Sequence, residues 1–420
     1  MRDSPELRGL PWVARKGVAG RSCYMKKLVL GLGLAVLLLG PVAPAARAWG
    51  IFGHRVITQV AVYELPASVQ AFYFRHLPEL VRQSSAAPTD AQDNLRHFIK
   101  LDHYAEVNPF AKVPRGYEEA VEKFSADTLR KYGTLPWAIQ DAKNKLVEAW
   151  QQRDTVAIVQ ASAELSNLAA DAFSPLRTTV NYDGQLTNQP GMLALWENQL
   201  PERFIATYKL ADEPAKALKD PLADTWAVLQ NSYGFLSATY DLETKISRGF
   251  TPQTKFAYSH RFGRTQRRYS DAFADAYNKE VGGMVAYRLK SAAPFVAAIW
   301  LTAWQEAGRP DVAQLMAPSK LSADEKTRLT ADLKAFKANT LTQDQQLLAQ
   351  QKDKKVQAAD DIRAAEGEMA APPPPEPVPA SSTVPVAPAA PVADKVKVKT
   401  KTPAAAPVKQ KAKAAPTGWE

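Results

Sequence analysis

The side chains able to do chemistry are few: five histidines (His54, His76, His97, His103 and His260) and one cysteine, Cys23, in 420 residues. Imidazole binds metal ions and moves protons near neutral pH, so histidines close to carboxylates are the first candidates. His54 ends the run Trp49-Gly-Ile-Phe-Gly-His54, and His97 lies shortly before Asp102. Asn167 and Asp171 stand four residues apart, which puts both on one face of a helix. His76, His103 and His260 are isolated, and such histidines are mostly surface or satisfied core groups. Arg261, Arg264, Arg267 and Arg268 with Tyr269 form a basic-aromatic run that could hold phosphate. As a solvated loop leading into a helix the same run needs no ligand.

The N-terminus decides which of these residues survive. Met25-Lys26-Lys27 is a basic start, Leu28 to Gly40 an apolar stretch, and Ala46-Arg47-Ala48 a small-x-small cleavage site. That is the pattern of a secretory signal peptide, and its apolar run is too short to span a bilayer comfortably. Residues 1–24 make a poor leader, which favours translation from Met25; the alternative is an unusually long basic region. Cleavage after Ala48 leaves a mature chain starting at Trp49, exported to the periplasm or beyond. Cys23 is lost with the leader, so disulfides and thiolate ligands are excluded from the mature protein.

The elements that must position these groups read as helical. Val56, Val60, Ala61 and Leu65 share one face, Val281, Met284, Val285 and Leu289 another, and Phe295, Val296, Ile299 and Trp300 continue the second. Strand-like alternation is nowhere sustained enough to build a sheet, and there is no glycine-rich phosphate loop. The expected fold is all-α: a single compact multi-helix domain over 49–317, near the upper size for one core. Ser322 to Glu325 reads as a capping box opening a polar helical extension over 318–369, with Leu329, Leu333 and Phe336 on one face. Residues 370–420 change to Pro/Ala/Val repeats with alternating lysines (Lys395, Lys397, Lys399, Lys401), a composition that cannot bury enough surface to fold. That tail either solubilises the protein or holds it to anionic envelope polymers.

The formal charge of +10 divides into +6 from residues 1–48 and +4 from 371–420, leaving 49–370 neutral. Bulk charge therefore gives the folded part no nucleic-acid signal.

With the leader removed, the N-terminal Trp49 and nearby His54 resemble the start of the zinc-dependent phospholipase C and single-strand-specific nuclease superfamily, a tri-zinc, all-helical group. Arg96-His-Phe-Ile-Lys-Leu-Asp-His-Tyr104, Asn181-Tyr-Asp-Gly-Gln-Leu-Thr-Asn-Gln189, Leu195-Trp-Glu-Asn-Gln-Leu-Pro201 and the stretch from Tyr269 to Asp311 resemble a bacterial branch of it, in order. The resemblance implies a terminal zinc held by the amine and carbonyl of Trp49, by His54 and by a bridging Asp171. An α-amine, with a pKa near ~8, gives up its proton to a metal more readily than lysine does. A second zinc would take Asp171, His97 and an upstream acid, Asp90 with Asp93 as the alternative. Its fourth position, a histidine in the family, is Asn167, a weak neutral ligand.

The third zinc's His, His and Glu align with Arg177, Leu193 and Glu197. Arginine does not deprotonate and leucine has nothing to donate, so the resemblance implies that this site is lost. Phe173 stands where another histidine is usual, and Lys100 replaces an acid. Asp102 matches the carboxylate that handles protons in the family. Arg177, placed to meet phosphate or to pair with Glu197, would restore the positive charge that the metal took away. The expectation is an exported relative with at most two zincs and a phosphate-sized pocket, non-catalytic or weakly active, binding a phosphate-containing ligand or phospholipid headgroup. Its alternatives are an active phosphodiester hydrolase with a reduced metal set, and an envelope-associated structural protein anchored by its basic tail.

Overall fold

The computed structural model describes residues 49–351 except 212, 262–263 and 344–345, with no side-chain description for 259–266. The leader with Met25 and Ala46 to Ala48, the end of the polar extension and the lysine tail therefore lie outside the described residues. So do the side chains of His260, Arg261 and Arg264.

The chain is mostly helical. In order come α1 (Gly50–Glu64), α2 (Ala67–Arg75), α3 (Leu77–Gln83), α4 (Ala91–Leu95), α5 (Tyr117–Phe124), α6 (Ala126–Tyr132), α7 (Leu135–Gln152) and α8 (Thr155–Asp171). The short α9 (Met192–Ala194) runs through one π-helical turn, Leu195–Gln199, into α10 (Leu200–Phe204). Then follow α11 (Pro221–Gly234), α12 (Leu236–Ser247), α13 (Pro252–Lys255), α14 (Asp271–Glu306) and α15 (Ala323–Ala338).

Helix α1 is central because its sequence is apolar or small on nearly every face, and only a helix surrounded by others can satisfy that. It packs on α14, which is buried from Phe295 to Leu301 and contains Pro294. Helices α7 and α8 are joined by only two residues. Arg153 turns the chain at φ 57°, and the Asp154 carboxylate accepts from Val156 N and Ala157 N to start α8. So short a connection makes the pair antiparallel neighbours. The far end of α8 is thereby fixed in the core.

Two expectations change. The stretch from Phe256 to Tyr269 is an antiparallel hairpin, β1 (Phe256–Arg261) paired with β2 (Arg264–Tyr269), with Phe256 opposite Tyr269 and Tyr258 opposite Arg267. The basic-aromatic run was expected to be a loop without strand character. The base of the hairpin is anchored where Tyr269 packs on Phe256 and Phe273. Second, the extension expected to be polar carries buried apolar residues among those described. The Ser322–Glu325 capping box is formed, but Leu321, Phe336, Leu341 and Leu347 are all buried. Buried Gln59 of α1 donates to Gln346 O at 2.8 Å and accepts from Leu348 N at 2.7 Å.

The start of α1 is tightly specified. Gly50 has φ 47°, and a Cβ there would come within 2.0 Å of Asn198 Oδ1 on the π-helical turn. Gly50→Ala should therefore destabilise the fold by roughly 2–4 kcal/mol in urea denaturation, from the left-handed backbone and overpacking together. Asn198→Ala in the same chain should recover part of that loss; no recovery would mean that the contact is not the cause.

Candidate functional site

Asp171, at the end of α8, is the hub. It is wholly buried, with His97 Nδ1 donating to Oδ2 at 2.5 Å and His54 Nε2 lying 3.3 Å from Oδ1. His54 comes from the first turns of α1, and His97 from the loop after α4. Burial alone would raise the Asp171 carboxyl, but the two imidazoles outweigh it and hold it at about 2.

Trp49 fixes the helix end that carries this hub. Its indole Nε1 donates to Ala170 O at 2.8 Å, its ring packs 4.9 Å from that of Trp196, and its own carbonyl accepts from Gly53 N at 2.9 Å. One indole thus touches the neighbours of both Asp171 and Glu197.

Glu197 lies on the π-helical turn, an irregularity often found at functional sites. Its carboxylate is gripped in two places by Arg177, Nη2 to Oε2 at 2.9 Å and Nε to Oε1 at 3.2 Å, and both residues are 0% exposed. Ser174 Oγ donates to Oε1 as well. Burial pushes the Glu197 carboxyl up to about 7, against the opposing pull of Arg177 and Ser174, with the Asp171 charge adding to the rise. The forked contact is that of a carboxylate with a guanidinium. Phe98 covers the opposite side, its ring centre 4.3 Å from Arg177 Cζ, and Ile99 N donates to Arg177 O at 2.9 Å. The His97–Ile99 segment therefore serves Asp171 with its first residue and Arg177 with the next two.

His54, His97 and Asn167, with Gly50, Ile51 and Pro88 nearby, line a cavity of about 10 Å³. That is room for one water or ion and too little for a phosphate group. Asn167 turns its amide nitrogen to Ala86 O at 3.2 Å. His54 Nδ1 is buried without a hydrogen-bond partner. Among the described residues no group of three or more His, Cys, Asp or Glu side chains is arranged to hold a metal.

The other sequence candidates lie elsewhere. Asp90 is exposed and caps α4, accepting from Gln92 N and Asp93 N at 2.8 Å each. Asp93, the alternative, accepts from Thr89 N and Arg96, near enough to His97 to feel its charge. Asp102 accepts from Val180 N at 2.9 Å and from Thr179 Oγ1, which ties its loop to the segment after Arg177. Leu193 is packed in the core, and Phe173 meets Phe295 edge to face with the Arg288 guanidinium over its ring. Lys100 is half-buried over Phe98 and Tyr182. His76 packs on Phe72 and His103 on Tyr132, as isolated histidines do.

Arg177 has no surface to offer a ligand. The distinctive Asn181–Gln189 stretch is a scaffold: Asn181 Oδ1 accepts from Leu186 N, and Gln189 and Tyr269 both donate to buried Glu243, which also meets Lys255 at 2.7 Å. Ser174 and Asn198 were not foreseen, since serine and asparagine carry no signal of a buried partner.

No protein-family model matches the chain, and no curated protein matches it. The site reading thus stands on these residues and their geometry.

The linkage at Asp171 has a definite sign. A carboxyl held at about 2 when folded, against 3.8 otherwise, contributes stability that is complete above about pH 4 and is lost as pH falls toward 2. Acid unfolding followed by circular dichroism should show this slope between about pH 4 and 2, and Asp171→Asn should remove it while lowering stability at pH 7. An unchanged acid slope in the variant would mean that the histidines do not hold the carboxylate.

Proposed function

We propose that this is an exported protein on the zinc-dependent phospholipase C/nuclease scaffold whose metal centre has been replaced at one end by an internal ion pair, leaving it without phosphodiesterase turnover. The observation that carries this reading is the wholly buried, forked Arg177–Glu197 contact. In the resemblance, Glu197 would serve a zinc; here a permanent cation already neutralises it, with Leu193 apolar beside the aligned position. A zinc would have to displace the guanidinium into the core, where a charge without a partner costs several kcal/mol.

The first locus is different: its donors are of metal-binding type, and the α-amine of a mature Trp49 would complete a set that the side chains alone do not form. His54 Nδ1 is buried and unpartnered, its Nε2 lies 3.3 Å from Asp171, which His97 also meets, and Asn167 lines the same small cavity. The φ of 32° at Trp49 is unfavourable for a bulky residue inside a chain. Cleavage after Ala48 abolishes that torsion and leaves an α-amine at the head of α1, beside His54. Trp49, His54 and Asp171 would then hold a single zinc, with His97 and Asn167 at its edge. A zinc there would supply Lewis acidity and a water of lowered pKa. The residues themselves hold Asp171 ionised, orient both rings through it and exclude anything larger than a water.

The second reading, a working hydrolase with a reduced metal set, is favoured by that same unpartnered His54 nitrogen. It requires the small cavity to open for a phosphate. The envelope-structural reading rests on the tail, which lies outside the described residues.

Zinc content and turnover together separate the first reading from the second. The mature protein starting at Trp49 should hold at most one zinc by elemental analysis and should not turn over a phosphodiester. Arg177→His with Leu193→His should raise the zinc content by about one, on the reasoning that His/His/Glu completes a site. Phosphodiester turnover by the unaltered protein that EDTA abolishes would overturn the proposal, and a double variant that gains no zinc would count against the replaced-site account.

A further inference from the structure

A groove of about 690 Å³ opens between α4, the start of α5 and the first turns of α7, outside the small histidine cavity. Its volume lies in the range of small-molecule and oligomer sites. The floor is Trp137, held rigid because its indole nitrogen donates to Arg115 O at 2.8 Å. Tyr117 meets it edge to face at 5.5 Å and is 36% exposed, so an aromatic surface faces the opening.

The polar groups around this floor are planar; Gln140 Nε2 donates to Asn144 Oδ1 at 3.4 Å, which leaves the Gln140 carbonyl and the Asn144 amide nitrogen toward a ligand. Gln92, Gln140 and Asn144 supply amides that both donate and accept. Glu118 and Asp141 line the groove with no ion pair or hydrogen bond to another described residue. The cations are occupied: Arg96 holds Asp93 and Glu164, and Arg130 holds Asp127. A phosphodiester or anionic polymer would therefore meet carboxylates with no uncommitted guanidinium to offset them.

A neutral ligand rich in hydroxyl donors, with flat apolar faces to lay on an aromatic ring, satisfies this lining. We propose that the groove binds a neutral oligosaccharide, its hydroxyls donating to Glu118 and Asp141 and pairing with the amides while a sugar face rests on Tyr117. This goes beyond the reading of the histidine site and does not depend on it. Asp90 is fixed as the cap of α4, and Arg96 by its two carboxylates.

The test is isothermal titration of the mature chain with cellotetraose and with tetra-N-acetylchitotetraose. Saturable one-to-one binding of at least one of them is expected. It should weaken about tenfold or more in Tyr117→Ala and again in Asn144→Ala, as for residues central to a contact. Both substitutions are at exposed positions, and unchanged circular dichroism and melting would show the fold intact. No saturable heat with either sugar at millimolar concentration would overturn the proposal. So would sugar binding indifferent to both substitutions. A lysine-rich peptide that binds where the sugars do not would equally overturn it, and would reassign the groove to cations.

Discussion

Two carboxylates, Asp171 and Glu197, are wholly buried in the core of one helical protein, close enough for the Asp171 charge to raise the proton affinity of Glu197. Ionised groups in such a place need a counter-charge at contact distance, or they must take up a proton or break the fold. Here each has been supplied separately. Asp171 has two imidazoles, and Glu197 has a forked guanidinium with a serine hydroxyl beside it. Much of the central packing serves these two arrangements.

The chain segments that provide the counter-charges are short and adjacent. His54 sits on α1 only because Gly50 lets the helix begin against Asn198. Trp49 then spans the gap, with its indole on Ala170 and its ring on Trp196. On the other side, the backbone hydrogen bond from Ile99 to Arg177 holds the loop that delivers both His97 and Phe98. The two charge systems are mechanically joined through residues that carry no charge themselves. That joint rigidity leaves a cavity with room for no more than one water or ion.

The helical fold was legible because apolar spacing on α1 and α14 is strong, and the Ser322 capping box marks a helix start without tertiary information. His54, His97, Asn167 and Asp171 were legible as a group from motif order, and they do converge. What the sequence could not show was context. Asp90 reads as a ligand by type, but its carboxylate is taken by the backbone amides of α4. Asp102 reads as a proton carrier, yet both oxygens are engaged with Thr179 and Val180. The hairpin escaped notice because Arg264, Arg267 and Arg268 break any apolar alternation in its second strand. The backbone of Gln346 and Leu348 is held by Gln59, a polar residue whose burial no pattern announces.

The central claim is that Arg177, and not a metal, is the counter-charge of Glu197. A double-mutant cycle measures it directly: Arg177→Ala, Glu197→Ala and the pair, unfolded in urea with and without EDTA. Arg177→Ala alone should cost roughly 3–5 kcal/mol, because a buried carboxylate loses its partner. The double variant should cost little more than one single change, giving a coupling of several kcal/mol that EDTA leaves unaltered. Additive losses, or a coupling that appears only when zinc is present, would contradict the account.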